Sequence, residues 1–454
     1  MTAIVTNDFR VVNAQNFKED ITDADNSVYV FIGKSDAWSD SIDDLADATP
    51  PDPIDSPYEQ NLAYKNMIAA KVVTSSDVTH VVPRHDWTSG EVYYAWDDSD
   101  PDIYSTGDHY FYVITDERKV FKCLDVGPAA SVVKPTLSQV PPFALGDGYT
   151  WKYLYTLAIV DSEKFLTNFY MPVKTVLLPE SGLIGDLSES DQAQYTNQQS
   201  AIASLSGKIY RSKVVSGGSG YTYATLTVDG DGTGATATAT VAGGVITGVT
   251  MTNVGSNYNI ARIVITGDGV GGEIHPILAA SKAHGSDPVA ELGAYFIGVN
   301  TRLEYDDGSG DFIVDNSFRQ VGLIRNPLNP AGNAVSTATT FNGLKTLSLA
   351  SGTGFTASDY ITGASSGAVA YIDDFDSDSL VIKFHQNEKT GYKSFQNSEN
   401  VVGDISGSGA ALGSGAVSGP EYSPNTGYII FLENRGPLNR SAAQIEDVKI
   451  IIEF

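Results

Sequence analysis

The chain has one cysteine, Cys123, in 454 residues. No disulfide can close within it and no cysteine-based zinc site can form, which fits folding in a reducing cytoplasm. It has no run of about 18 apolar residues, so no membrane-spanning helix is expected. Cationic side chains are scarce: 28 Lys and Arg stand against 55 Asp and Glu, a net charge of −27. That balance works against nucleic acid, whose phosphates need cationic partners, and against anionic lipid. The first residues, Met1 to Asp8, lack the basic and apolar regions of a signal peptide. The six histidines form no His-Glu-x-x-His pair, and neither phosphate-cradling glycine motif occurs. No catalytic, metal-binding or cofactor-binding residue is assigned, no cofactor is expected, and the chain does not read as an enzyme.

What the chain does have is aromatic and β-branched. Its 24 Tyr and 18 Phe can fill a core, and its length suggests about three domains. Short runs bounded by Gly, Asp and Pro read as strands: 28–32, 110–114, 208–210 and 449–452. The terminal strand is expected to pair inside a sheet. Two helices are expected. Ser56 can cap the first, Pro57 suits its first turn and Glu59 completes a capping box, which predicts a helix over 57–70. The second covers 188–205, where Gln, Ala and Ser dominate. Acidity concentrates early, with 21 acidic and 6 basic residues in 1–110. The Pro-rich and Asp-rich stretch 40–55 reads as a loop.

Two stretches, 207–272 and 332–419, hold 28 of the 44 glycines. The first contains a 37-residue repeat. Gly218-Ser219-Gly220-Tyr221 returns as Gly255-Ser256-Asn257-Tyr258, and Gly230-Asp231-Gly232 as Gly267-Asp268-Gly269. Asn257 replaces Gly220; both residue types tolerate positive φ. The second stretch reads as another small β module. The expected fold is mainly β: a multi-domain, β-sandwich-like core with two inserted Gly-rich modules and a few short helices. The core would comprise 1–204, 286–331 and 421–454, and the inserts 205–285 and 332–420.

Several features imitate chemistry. His85 and Asp86 are adjacent, so on an extended chain they face opposite ways. Gly363-Ala364-Ser365-Ser366-Gly367 imitates a nucleophile elbow, but a strand-like run follows where a helix is required. The acidic loops 97–102 and 373–378 lack the spacing of a calcium loop and read as solvated turns. Cys123 reads as a buried small hydrophobe. Tyr221, Tyr258 and Tyr371 could stack on sugars, but read better as core aromatics of small sheets.

A set of separated segments, in order, carries a family resemblance. They include Ile4-Val5-Thr6-Asn7-Asp8-Phe9-Arg10, Val30-Phe31-Ile32-Gly33-Lys34-Ser35-Asp36-Ala37-Trp38-Ser39, Val82-Pro83-Arg84-His85-Asp86-Trp87 and Val120-Phe121-Lys122-Cys123-Leu124-Asp125. Gly146-Asp147-Gly148-Tyr149-Thr150-Trp151, Phe318-Arg319-Gln320-Val321-Gly322-Leu323-Ile324-Arg325-Asn326-Pro327 and Phe431-Leu432-Glu433-Asn434-Arg435-Gly436-Pro437 follow. The chain resembles the "gene product eight" baseplate wedge family of T-even-like contractile-tailed bacteriophages. The resemblance implies a mostly-β structural subunit of the virion tail baseplate, made in the host cytoplasm. It also implies a homodimer that contacts other wedge subunits and helps build the baseplate that triggers sheath contraction. It says nothing of the two Gly-rich stretches. The alternative is an adhesive tail protein that binds host glycan through them.

Overall fold

A computed structural model describes residues 4–23, 25–38, 49–104, 110–279, 283–305, 311–441 and 444–454. The fold is mainly β. The chain forms two compact units. One is Met1–Asn16, Thr79–Gly298 and Ile451–Phe454; the other is Phe17–Val78 and Val299–Ile450.

The second unit holds an antiparallel five-stranded sheet in the order Thr340–Asn342, Met67–Val72, Val28–Gly33, Ser317–Arg325, Tyr428–Asn439. Its central strand, Val-Tyr-Val-Phe-Ile-Gly, is buried at every position, as an unbroken apolar run requires. Phe31 lies opposite Gly322, and a Cβ on Gly322 would collide with the Phe31 ring. Ser56 caps the helix Pro57–Asn66, accepting a hydrogen bond from the Glu59 amide at 3.2 Å. The helix stops four residues short of the expected end. Met67-Ile68-Ala69-Ala70 is buried as a strand between 28–33 and 340–342, so tertiary pairing overrides helical propensity there.

The same unit carries a closed barrel. Its strands run in the order Lys345–Leu349, Val381–His385, Val369–Asp376, Tyr360–Gly363, Asn400–Gly403, Gly409–Ser418, and the last pairs with the first. Leu347, Ile361, Ala370, Ile372, Ile382, Phe384, Val401 and Leu412 fill it. The closing strand Glu446–Glu453 neighbours the strand Phe296–Leu303, with Arg302 and Asp447 paired at 2.9 Å. The chain end is therefore held in a sheet, as expected.

The first unit is aromatic. One sheet runs in the order Tyr112–Ile114, Lys119–Asp125, Thr150–Thr156, Phe143–Ala144. Around it pack Tyr93, Phe121, Cys123, Tyr149 and Trp151. The expected strand 110–114 shortens to 112–114, and the run 208–210 precedes the strand Arg211–Ser219. The helix Glu189–Leu205 begins after its Ser188 cap. A helix at Asn7–Thr22 was not expected. Strands Ala224–Gly230, Thr233–Ala242, Val245–Ser256 and Ala261–Gly267 make one sheet of the first Gly-rich region. Arg211–Ser219 and Val270–Ile277 make a second.

Candidate functional site

The 37-residue repeat folds as a local two-fold pair. Strands 224–230 and 261–267 lie antiparallel, and each repeat completes the other. Asp231 accepts hydrogen bonds from the Asn259 and Ile260 amides at 2.8 and 3.0 Å. Asp268 accepts from the Thr222 amide at 2.9 Å. The Ile260 and Asn259 amide and side-chain donors hold the Asp231 carboxyl down at about 2, and the Thr222 donors do the same for Asp268. Gly220 and Asn257 have φ of 79° and 62°; the substitution conserves the left-handed backbone. Tyr221 and Tyr258 are buried. Their hydroxyls accept from the Gly272 and Ala235 amides, 37 positions apart, at 3.3 Å each. Gly269 and Gly232 lie against the two rings. Both tyrosines are core residues, and the aromatic platform for sugar is absent at these two positions. Tyr371 is half-buried, edge-on to Tyr360 at 5.4 Å.

The barrel contains a second duplication, of 40 residues, that the sequence reading missed. Asp359, Ile361, Gly363, Ser366, Gly367 and Ala370 correspond to Glu399, Val401, Gly403, Ser406, Gly407 and Ala410. Ser358 and Ser398, one residue before each acid, both have positive φ, 68° and 64°. The acids again cross over. Glu399 accepts from the Ser365 and Ser366 amides at 3.0 and 2.9 Å. Asp359 accepts from the Ile405 and Ser406 amides at 2.9 and 3.0 Å. The apparent nucleophile elbow is one of these capped turns, lying between strands Tyr360–Gly363 and Val369–Asp376.

Each module is tied to its own unit by acid and histidine. In the first unit, Asp97 pairs with Lys213 at 2.8 Å and Asp98 with His275 at 3.1 Å. Trp96 Nε1 donates to Leu278 O and Arg211 to Trp96 O. The acidic loop 97–102 is thus an anchor and not a solvated turn. In the second unit, His385 of the barrel sits between Asp373 at 2.8 Å and Asp36 at 3.3 Å. Lys34 pairs with Asp36 at 2.7 Å. Ser35 Oγ donates to Asp373, and Arg319 donates to Ser35 O. Ser35, Asp36, Asp373 and His385 are all at most 5% exposed.

Burial opposes the imidazolium, but the Asp373 and Asp36 carboxylates outweigh it and push His385 up to about 9. Burial likewise favours a neutral Asp36, yet His385 and Lys34 hold it well below the carboxylate range. The serine, histidine and aspartates come together from positions over 330 residues apart, which no local pattern reveals. They do not make a catalytic triad. A protonated imidazole has no lone pair to take a proton, and Ser35 gives its hydrogen to Asp373. The arrangement is a buried ion-pair joint between the barrel and the segment Lys34–Asp36.

The remaining candidates have structural partners. His85 packs tilted against Tyr110, ring centres 3.9 Å apart, and burial lowers it to about 4; Asp86 pairs with Arg84 at 3.0 Å. Cys123 is buried, which pushes its thiol up. Asp376 closes its own turn on Ser379 and Asp378. Lys122 and Glu291 form a fully buried pair at 3.0 Å, with the ammonium 3.9 Å over the Trp96 ring. Among the described residues, no group of three or more ligand side chains is arranged to hold a metal ion. Among them, too, no helix is long and apolar enough to cross a membrane.

The fold and its joints define a mainly β protein with two duplicated glycine-rich modules. Residues 3–137 match the family described as "Bacteriophage T4, Gp8". Over 208 residues the chain is 27% identical to "Baseplate wedge protein gp8" of Enterobacteria phage T4. That similarity covers 38% of this chain and spans 60% of the length of the relative. Both matches support the resemblance to the gp8 baseplate wedge family, and the family match spans its segments from Ile4–Arg10 to Val120–Asp125.

Proposed function

We propose that the chain is a structural subunit of a contractile phage tail baseplate wedge, acting in the virion with other wedge subunits and as a homodimer. The observation that carries this reading is the family match over residues 3–137, a region that includes Lys34, Ser35 and Asp36 of the buried joint. It works by shape and not by turnover. The baseplate-wedge-like core is 1–204, 286–331 and 421–454, and the modules at 205–285 and 332–420 are insertions. The buried tyrosines leave the adhesive, glycan-binding alternative with less to stand on. Mass spectrometry of washed, purified tails is the test of the wedge role. The chain is expected in stoichiometric amounts with the other baseplate proteins, and its absence from tails would overturn the reading. Light scattering tests the homodimer: about 97 kDa is expected, twice 48.3 kDa, and a monomer would remove that part.

A further inference from the structure

In a chain with twice as many acids as bases, a cavity lined by lysines and no carboxylate is unusual. One of about 300 Å³ lies in the second unit, where the end of the helix Pro57–Asn66 meets the barrel and the segment 420–425. Its walls are mostly aromatic and apolar, with Tyr64, Tyr392 and Tyr422 among them, and His385 of the joint and Asn425 also line it. Lys65 Nζ lies 4.4 Å from the Tyr392 ring centre. Lys345 Nζ donates to Gln386 Oε1 at 3.2 Å. Neither lysine has a carboxylate partner among the described residues. Partial burial lowers the Lys345 pKa, so an incoming anion would be welcome there.

Three polar tips of the walls are already used. Tyr64 donates its hydroxyl to Gly427 O at 2.8 Å, and Tyr422 to Tyr64 O at 2.9 Å. The Gln386 amide donates to Val369 O and Lys393 O. What is left for a ligand is mainly ring faces and two ammonium groups, with the Tyr392 hydroxyl and the Asn425 side chain also at the lining. A flat ring next to a carboxylate matches the rings and the ammonium groups. The volume is at the small end of ligand pockets, which run from roughly 300 to 1,000 Å³.

We infer that this cavity receives a ligand that carries an aromatic ring next to a carboxylate. The inference goes beyond the wedge reading and does not depend on it.

The test is calorimetric titration of the full chain with N-acetyl-phenylalanine, its neutral amide and methyl glucuronide. The acid should saturate in roughly the millimolar range expected for a small fragment. The amide should bind at least about tenfold more weakly, as should the acid to the Lys65→Met/Lys345→Met variant, through loss of charge-assisted bonds. Tyr392→Ala should weaken the acid as well. Equal binding of acid and amide, tighter binding of the glucuronide, or no saturation by the acid would each overturn the inference. The acid–amide comparison uses the unaltered protein, so it stands even if a variant fails to fold.

Discussion

The two glycine-rich modules solve one construction problem in two ways. Each is a duplicated β unit, by 37 residues in one and 40 in the other. In each, an acid from one repeat caps a turn of the other. The first module stays open: its main cluster has only Tyr221, Ile246, Ile263 and Ile274 fully inside, and its capping aspartates are exposed. The second closes into a barrel around a larger core, and its caps, Asp359 and Glu399, are buried. Their anchors differ in the same sense. His275–Asp98 is partly exposed, with side chains at 40% and 25%, whereas His385 lies buried between two aspartates. Glycine-rich sequence therefore does not by itself mean a weak module. Closure and burial decide where stability resides, because an exposed polar contact gains little in water and a great deal is lost when a buried ion pair is broken.

Breaking the two anchors should separate the modules most. His385→Ala leaves Asp36 and Asp373 buried with Lys34 as the nearer remaining cation. It should cost about 3–5 kcal/mol, read as lost hydrogen-exchange protection across 345–418. His275→Ala should cost no more than about 1 kcal/mol across 211–277. Equal losses would remove the distinction.

The cores give the next largest contrast. Ile372→Ala in the barrel should cost about 2–5 kcal/mol. Within the open module, Gly269→Ala drives a Cβ into the Tyr221 ring, and Gly232→Ala does the same to Tyr258. Each should cost about 1–3 kcal/mol by overpacking. The two costs should match, because the sites are equivalent under the duplication; unequal costs in chemical denaturation would argue against that equivalence.

The pH dependence should also divide the modules. His385 has a raised pKa, so its contribution is complete below the ordinary histidine value of about 6.5 and is lost as pH rises through about 9. The lowered Asp36 works the other way, and its contribution fades as pH falls below the ordinary aspartate value of about 3.9. Exchange protection of the barrel should thus peak between these limits and decline from pH 6.5 to 9. A His385→Gln chain should lose the alkaline decline. A flat profile in the unaltered chain would contradict the joint.

The smallest effect belongs to the backbone. Asn257→Gly should change stability by only a few tenths of a kcal/mol. Asn257→Ala, which must hold a left-handed backbone, should cost about 1–2 kcal/mol.

Much of the first module was legible because both its chemistry and its spacing repeat. Asn257 standing for Gly220 already indicated the backbone it adopts. The cap Ser56 marked its helix start correctly for the same reason: the signal is local. The barrel duplication was less visible. Ala364-Ser365 faces Asp404-Ile405 in the alignment, and the resemblance of 363–367 to a nucleophile elbow obscured its kinship with 403–407. The helix Asn7–Thr22 was missed because its face is weakly apolar, with three asparagines and scattered charge. The end of the helix at Asn66 depends on strands at 28–33 and 340–342 that a local window does not contain. The Ser35, Asp36, Asp373 and His385 joint is assembled only by the fold.

The wedge role is tested most directly by cryo-electron microscopy of intact tails. Baseplate density should fit both units, with the six-stranded barrel recognisable beside the sheet whose strand Val28–Gly33 leads into Lys34–Asp36. A well-resolved baseplate with no density for this chain, or the chain found only in another part of the particle, would contradict it.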